Sequence, residues 1–387
     1  MQQKVNFFLV FLLSILIPIA YIPDVYTNKI YYTIFSTIAT LVLGLAFGLS
    51  FVYSHLFKRE RFPKLLKALI LYIFVLLVEF LVFYIGNLNI NIQDLVSIIA
   101  IVMGIYVGFV NNLSIYQIKI IVIAYCIFAI VLGYLSMNTY TGFTIYTADY
   151  LVEGKNQVGQ IIALCSVLSF IWVYFESKKK TKFLMYCVCV FSIFSLLVIK
   201  CKTAIFAVLI VMVLLSFKLG SIDTVRKKLI IGVPIIILVL IIFGETILNI
   251  VGLSGKMSSM DEFTTGRSTR NLIAIKYILD NPIFGELESY SCIPLIHNWV
   301  LLRVVRLGLV FSLPFILFYF YILFYAVKKI LKNKNWSFDK MGIFLIIVPY
   351  ISSLLEPSAP FAPNTIYIMH YILLGLSLQK MKSASLN

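Results

Sequence analysis

The chain has 387 residues, of which 61% are hydrophobic, 15% aromatic and only 12% charged, and its formal net charge is +16. Globular domains carry about a quarter charged residues to cover their surface, so this composition excludes a water-soluble protein. The lysines and arginines are scattered between apolar runs rather than gathered on one polar unit, which excludes a nucleic-acid-binding module.

What remains is an all-α, polytopic integral membrane protein. Cutting the chain at its polar breaks predicts twelve helices, each near the roughly 20 residues that cross a hydrocarbon core. They fall at 7–22, 30–54, 68–86, 95–110, 119–136, 157–175, 183–199, 203–217, 229–250, 299–327, 341–355 and 365–379, and residues 1–387 form one transmembrane domain. The first apolar run lacks a small-x-small cleavage pattern and passes directly into further spans, so it reads as a helix and not as a removable signal.

Positive charge sets orientation, because cytoplasmic loops hold the excess of Lys and Arg. With both termini cytoplasmic, 22 of the 32 Lys and Arg fall in inner segments, eight in outer segments, and Arg303 and Arg306 inside the tenth span. The eight outer cations cluster: Lys155, Lys200, Lys202, Lys256, Arg267, Arg270 and Lys276 are among them, whereas the loops near 87–93 and 356–364 have none. Taken singly, each is a solvated loop charge or a partner of lipid head groups. Taken together, they predict an anion site.

One outer loop, residues 251–297, far exceeds the usual length of a helix connection, and such loops are functional or disordered. Its composition argues for order: Ser268 suits an N-cap, TRNLIAIKYILD has the apolar density of a helix lying on the membrane surface, and Asn281-Pro282 supplies a stop. If that helix starts slightly before Ser268, Arg267 and Arg270 share a face at i, i+3 and present two guanidiniums to one phosphate or diphosphate. Anchoring of an amphipathic helix to head groups is the competing account.

His297 follows this loop at the mouth of the tenth span, and its neutral imidazole suits proton abstraction from a hydroxyl. Arg303 and Arg306 lie one and two turns deeper, where a charge costs at least about 2.5 kcal/mol on insertion scales. They face a cavity or pathway, or pair with Glu356 or Glu245.

Several short motifs appear in order: GKN (Gly154 to Asn156), CKTA (Cys201 to Ala204), TGR (Thr265 to Arg267), DNPIFG (Asp280 to Gly285), then HN (His297, Asn298) followed by LGL (Leu307 to Leu309). In this order, over roughly residues 150–325, the chain resembles the O-antigen ligase and polymerase superfamily. The resemblance implies a lipid-dependent, GT-C-like glycosyltransferase fold that works without a metal or cofactor at the outer face of the bacterial cytoplasmic membrane. It implies a polysaccharide polymerase, moving a growing glycan from undecaprenyl diphosphate to a lipid-linked repeat unit by inverting transfer. An O-antigen ligase acting on lipid A core is the first alternative and a polysaccharide flippase the second.

The partners implied are undecaprenyl-diphosphate-linked oligosaccharides, membrane lipids, a chain-length-regulating co-polymerase and a flippase. By carry-over, His297 is the general base and Arg267 the diphosphate clamp, supported by Arg270, Lys202, Lys155, Arg303 and Arg306. Two departures stand out: Lys202 where the family commonly has arginine, and Glu286-Leu287-Glu288 in place of a G-x-G turn. Polymerase is preferred over ligase because such chains diverge widely to suit different repeat units. Asn281-Pro282 and Gly285 read as turn formers and not as catalytic groups.

Overall fold

The computed structural model describes residues 2–55, 64–85, 92–140, 149–219, 267–283, 285, 296–333, 336–356, 360–361 and 365–383. All described elements are helical: α1 (Gln2–Ala20), α2 (Pro23–Thr27), α3 (Lys29–Tyr53), α4 (Lys64–Ile85), α5 (Ile92–Val110), α6 (Ile115–Tyr140), α7 (Asp149–Phe175), α8 (Lys179–Val198), α9 (Lys202–Leu219), α10 (Arg267–Asp280), α11 (Trp299–Lys332), α12 (Gly342–Leu345), α13 (Ile347–Ser352) and α14 (Ile368–Ser383), with 3-10 turns at Phe338–Lys340 and Thr365–Tyr367. Among the described residues, α1, α3, α6, α7, α8, α9 and α11 are long and apolar enough to cross a membrane. This is the architecture of an α-helical membrane protein.

The predicted spans fall on these helices with two exceptions. The ninth, 229–250, lies outside the described residues, as does Glu245. The eleventh, 341–355, is divided into the short helices α12 and α13, which meet at Ile346, itself in helical conformation at φ −66 and ψ −24. Its residues from Met341 to Tyr350 are buried throughout. An apolar run records burial, and the protein interior satisfies that as well as lipid does.

Burial separates the centre of the bundle from its rim. In α7, 78% of the apolar window is covered by other helices, against 28% in α3 and in α8. The outer faces expose large apolar side chains such as Leu41, Phe74, Phe183, Phe206 and Phe324. Each forfeits about 1.5–3 kcal/mol if it meets water, so these faces belong against acyl chains. Where α5 crosses α14, a Cβ on Gly108 would lie 2.0 Å from the Ile372 carbonyl oxygen, and one on Gly375 2.2 Å from that of Ile105. Glycine on both helices lets the backbones touch, the usual means of close packing in lipid.

Local caps set the helix starts at one end of the bundle. Asn28 accepts from the amides of Ile30 and Tyr31 and begins α3, while Asn298 accepts from Leu301 N at 3.0 Å and begins α11. Between α8 and α9 the chain turns through a Schellman motif. Lys200 N donates to Leu197 O and Cys201 N to Leu196 O, with Lys200 at φ +54 in the left-handed position that glycine usually takes. This reversal delivers the CKTA segment to the top of α9.

Candidate functional site

Residues 251–297 contain a helix that starts earlier than a Ser268 cap requires: α10 begins at Arg267, so Ser268 is its second residue. Arg267 and Arg270 are therefore both helical, at i, i+3. The side-chain surroundings of Arg267 lie outside the described residues, as do 251–266 and 286–295, including the Glu286-Leu287-Glu288 turn. Along α10, Ala274 packs against Ile296, Leu302 and Val305 at the first turns of α11. Leu272, Ile275 and Leu279 are exposed on the other side. The helix thus docks by one face and offers a second apolar face, as a helix at a lipid surface does.

Docking brings α10 onto His297, two residues before α11. Arg270 Nη1 lies 2.8 Å from His297 Nε2, both groups half-buried. A guanidinium has donors only, so Nε2 is the acceptor here and the imidazole is the neutral tautomer with its proton on Nδ1. The neighbouring Asn298 holds this junction in place. Its side chain caps α11 and donates to the Leu354 carbonyl at 3.3 Å, while Trp299 N donates to Ser353 O at 3.0 Å. The Trp299 ring stacks on Tyr319 at 5.4 Å.

The NPIFG and LGL motifs form one joint. Gly308, at φ 68 and ψ 176, breaks the α11 helix, a conformation close to glycine-only. The break would orphan the next amide, and Leu309 N instead donates to Pro282 O at 2.8 Å. Gly285, at φ +65, packs so closely that a Cβ there would lie 2.4 Å from Gly308 N. These residues are turn formers, as the sequence suggested, and they tether the end of α10 to α11.

Arg303 is 6% exposed, with its guanidinium 5.3 Å from the Trp299 ring and 5.7 Å from the Phe315 ring. Two aromatic faces offset part of its desolvation, by about 2 kcal/mol or more for a buried cation. Arg306 is half-buried one turn on. The structure therefore seats Arg303 against aromatic rings inside the apolar helix α11.

The remaining motif residues gather around the starts of α7 and α9. Lys155 and Lys202 are half-buried. Asn156 Oδ1 lies 4.0 Å from Cys201 Sγ, and a Cβ on Gly159 would come within 2.2 Å of that sulfur, so the two helix starts are in direct contact. Thr203 Oγ1 donates to Glu356 Oε1 at 3.1 Å, and Ser352 Oγ donates to Gln160 Oε1 at 2.9 Å. Glu356 is 5% exposed.

Residues 352–356 consequently stitch the two motif groups together. Ser353 and Leu354 hold the α11 start beside His297, and Glu356 holds the α9 start beside Lys202. The sequence marks Glu356 only as a counter-ion for deep arginines and does not single out Gln160. The one available signal was that Glu356 is the only acidic residue in the 356–364 loop.

No family model matches this chain, and no curated protein matches it closely enough to count as a relative.

Proposed function

We propose that this protein is a polysaccharide polymerase of the outer face of the bacterial cytoplasmic membrane. It transfers a growing glycan from undecaprenyl diphosphate to a lipid-linked repeat unit, with twelve spans in a GT-C-like fold and both termini cytoplasmic. The observation that carries this reading is the Arg270–His297 contact: a permanent cation and a proton acceptor joined where a surface helix meets a membrane span.

The contact suggests an order of events. While the site is empty, Arg270 holds Nε2 of His297. A diphosphate attracts the guanidinium more strongly than a neutral imidazole does, because charge-assisted hydrogen bonds are roughly twice as strong as neutral ones. Arg270 then turns to the phosphate and Nε2 is freed. The acceptor hydroxyl oxygen attacks the anomeric carbon, its proton passes to Nε2, and the carbon–oxygen bond to the diphosphate breaks. One displacement inverts the anomeric centre, and the charge released on the leaving group rests on Arg270, aided by Arg267, Lys202 and Lys155.

The test is glycan analysis in a deletion strain restored with wild type, Arg270→Ala or His297→Ala. A polymerase predicts polymer only with wild type, and single lipid-linked repeats on the outer leaflet with either variant. Repeats held on the inner leaflet would support a flippase instead, and normal polymer length with either variant would remove that residue from the mechanism.

A further inference from the structure

A helix leaves its last four carbonyls and its first four amides without partners of its own. Where α13 ends and α11 begins, the two sets meet. Ser353 O accepts from Trp299 N at 3.0 Å and Leu354 O from Asn298 Nδ2 at 3.3 Å, so the start of α11 closes the open carbonyls beyond α13. Asn298 turns its Oδ1 to its own helix, accepting from Leu301 N at 3.0 Å. One side chain therefore both starts α11 and ties it to Leu354.

The residues on either side of this junction reach two further helices. Ser352 Oγ donates to Gln160 Oε1 on α7 at 2.9 Å, and Glu356 Oε1 accepts from Thr203 Oγ1 on α9 at 3.1 Å, all four side chains being buried. Buried hydrogen bonds have no water to replace them, so they fix geometry as well as add energy. Lys202 precedes Thr203, and His297 precedes Asn298. Consecutive Cα atoms lie about 3.8 Å apart, so anchoring Thr203 and Asn298 to one turn fixes the backbone origins of the Lys202 and His297 side chains relative to each other.

Resting on the polymerase reading, we infer that Glu356 and Asn298 are positioning residues: through the 352–356 turn they hold Lys202 at a fixed separation from the Arg270–His297 pair, so that both serve one lipid diphosphate. Neither has to touch the substrate. A site that neutralises a diphosphate with one helix and takes a proton with another tolerates little drift, since a displacement of about 1 Å costs about 10²-fold in rate.

The test uses the full chain in lipid nanodiscs, with the undecaprenyl-diphosphate-linked single repeat from a strain lacking the protein as donor and acceptor. Glu356→Ala and Thr203→Val should each slow single-turnover transfer about 10²-fold per folded molecule while donor binding changes less than about threefold. The double variant should be no slower than either single one, because the two changes remove the same bond. Glu356→Gln still offers Thr203 an oxygen and should transfer within about threefold of wild type. Asn298→Ser keeps the helix cap but cannot reach Leu354 O, and should be slowed like Glu356→Ala. Amide hydrogen exchange gives a readout that needs no glycan: in Glu356→Ala, exchange at the Trp299 amide should rise about tenfold, and Glu356→Gln should restore it. Unchanged Trp299 exchange in Glu356→Ala, additive losses in the double variant, or an unchanged transfer rate per folded molecule overturns the positioning role. If exchange responds as stated but wild type transfers nothing to a lipid-linked acceptor, the turn still joins the two helix starts and it is the polymerase reading that falls.

Discussion

Arg270 and His297 touch, Nη1 to Nε2 at 2.8 Å, although 27 residues separate them along the chain. The contact makes separate predictions for the two partners. Arg270→Lys keeps a charge but loses the planar fork, so donor binding should weaken and polymer yield should fall by about 10²-fold or more. His297→Gln keeps hydrogen-bonding capacity but cannot take the proton. The lipid-linked donor should therefore bind nearly normally while turnover falls by about 10²- to 10⁴-fold. Measuring binding and single-turnover transfer on the same preparations separates the two effects, and a His297→Gln variant with normal turnover would end the base assignment.

The Gly285–Gly308 joint predicts a loss of stability. Gly285 sits at φ +65 with no room for a Cβ, and Gly308 occupies a conformation that side-chain-bearing residues avoid. Gly308→Ala should cost about 1–3 kcal/mol of backbone strain, and Gly285→Ala at least as much because steric overlap adds to it. Thermal unfolding of the detergent-solubilised protein reads both. Unchanged midpoints would mean that the joint is looser than this geometry.

Much of this was readable in the sequence, for definable reasons. The helices were legible because apolar density and turn residues are local signals, and α10 lies on TRNLIAIKYILD with only its start displaced. The tie between Thr203 and Glu356 was not, since it joins residues 153 apart. Nor was the seating of Tyr26 on Gly154, because a glycine in GKN looks the same whether it opens a helix or clears space for a ring. The division of 341–355 into two short helices was not legible either, since its apolar run gives no local sign of a break and its residues from 341 to 350 are buried.

At the opposite end of α7 from Lys155, Glu176 lies just beyond the helix and accepts from Lys119 Nζ at 2.8 Å, from Lys178 N at 3.2 Å and from Trp172 Nε1 at 3.0 Å. The Lys119 hydrogen bond, followed by the Lys178 amide, pulls the Glu176 carboxyl down to about 2 from an ordinary 4.5. A carboxyl whose folded value is depressed stabilises the fold above its ordinary value, and that stability is lost as pH falls through the folded one. Wild type should therefore lose stability between pH 4.5 and about 2 in a way that Glu176→Gln does not. At neutral pH the variant should be less stable by about 1–2 kcal/mol. Parallel acid-unfolding curves for the two proteins would discard the ion pair as a source of stability.

Lys200 tests whether every cation that charge counting assigns to the outer side belongs to the proposed anion site. It is exposed and held at φ +54 as the left-handed residue of the α8–α9 turn, where glycine is favoured. Its position is explained by the turn, and its charge is not required by any contact that carries the mechanism. Lys200→Gly should relieve left-handed strain worth about 1 kcal/mol, partly offset by the added freedom of the unfolded chain, and so leave thermal stability equal or slightly higher. Polymer length and yield should stay normal, whereas Lys202→Ala, two residues on and beside the Thr203–Glu356 contact, should reduce yield. If Lys200→Gly instead abolishes polymer while the folded protein persists, the cation at position 200 binds the donor and the diphosphate site extends across the whole α8–α9 turn.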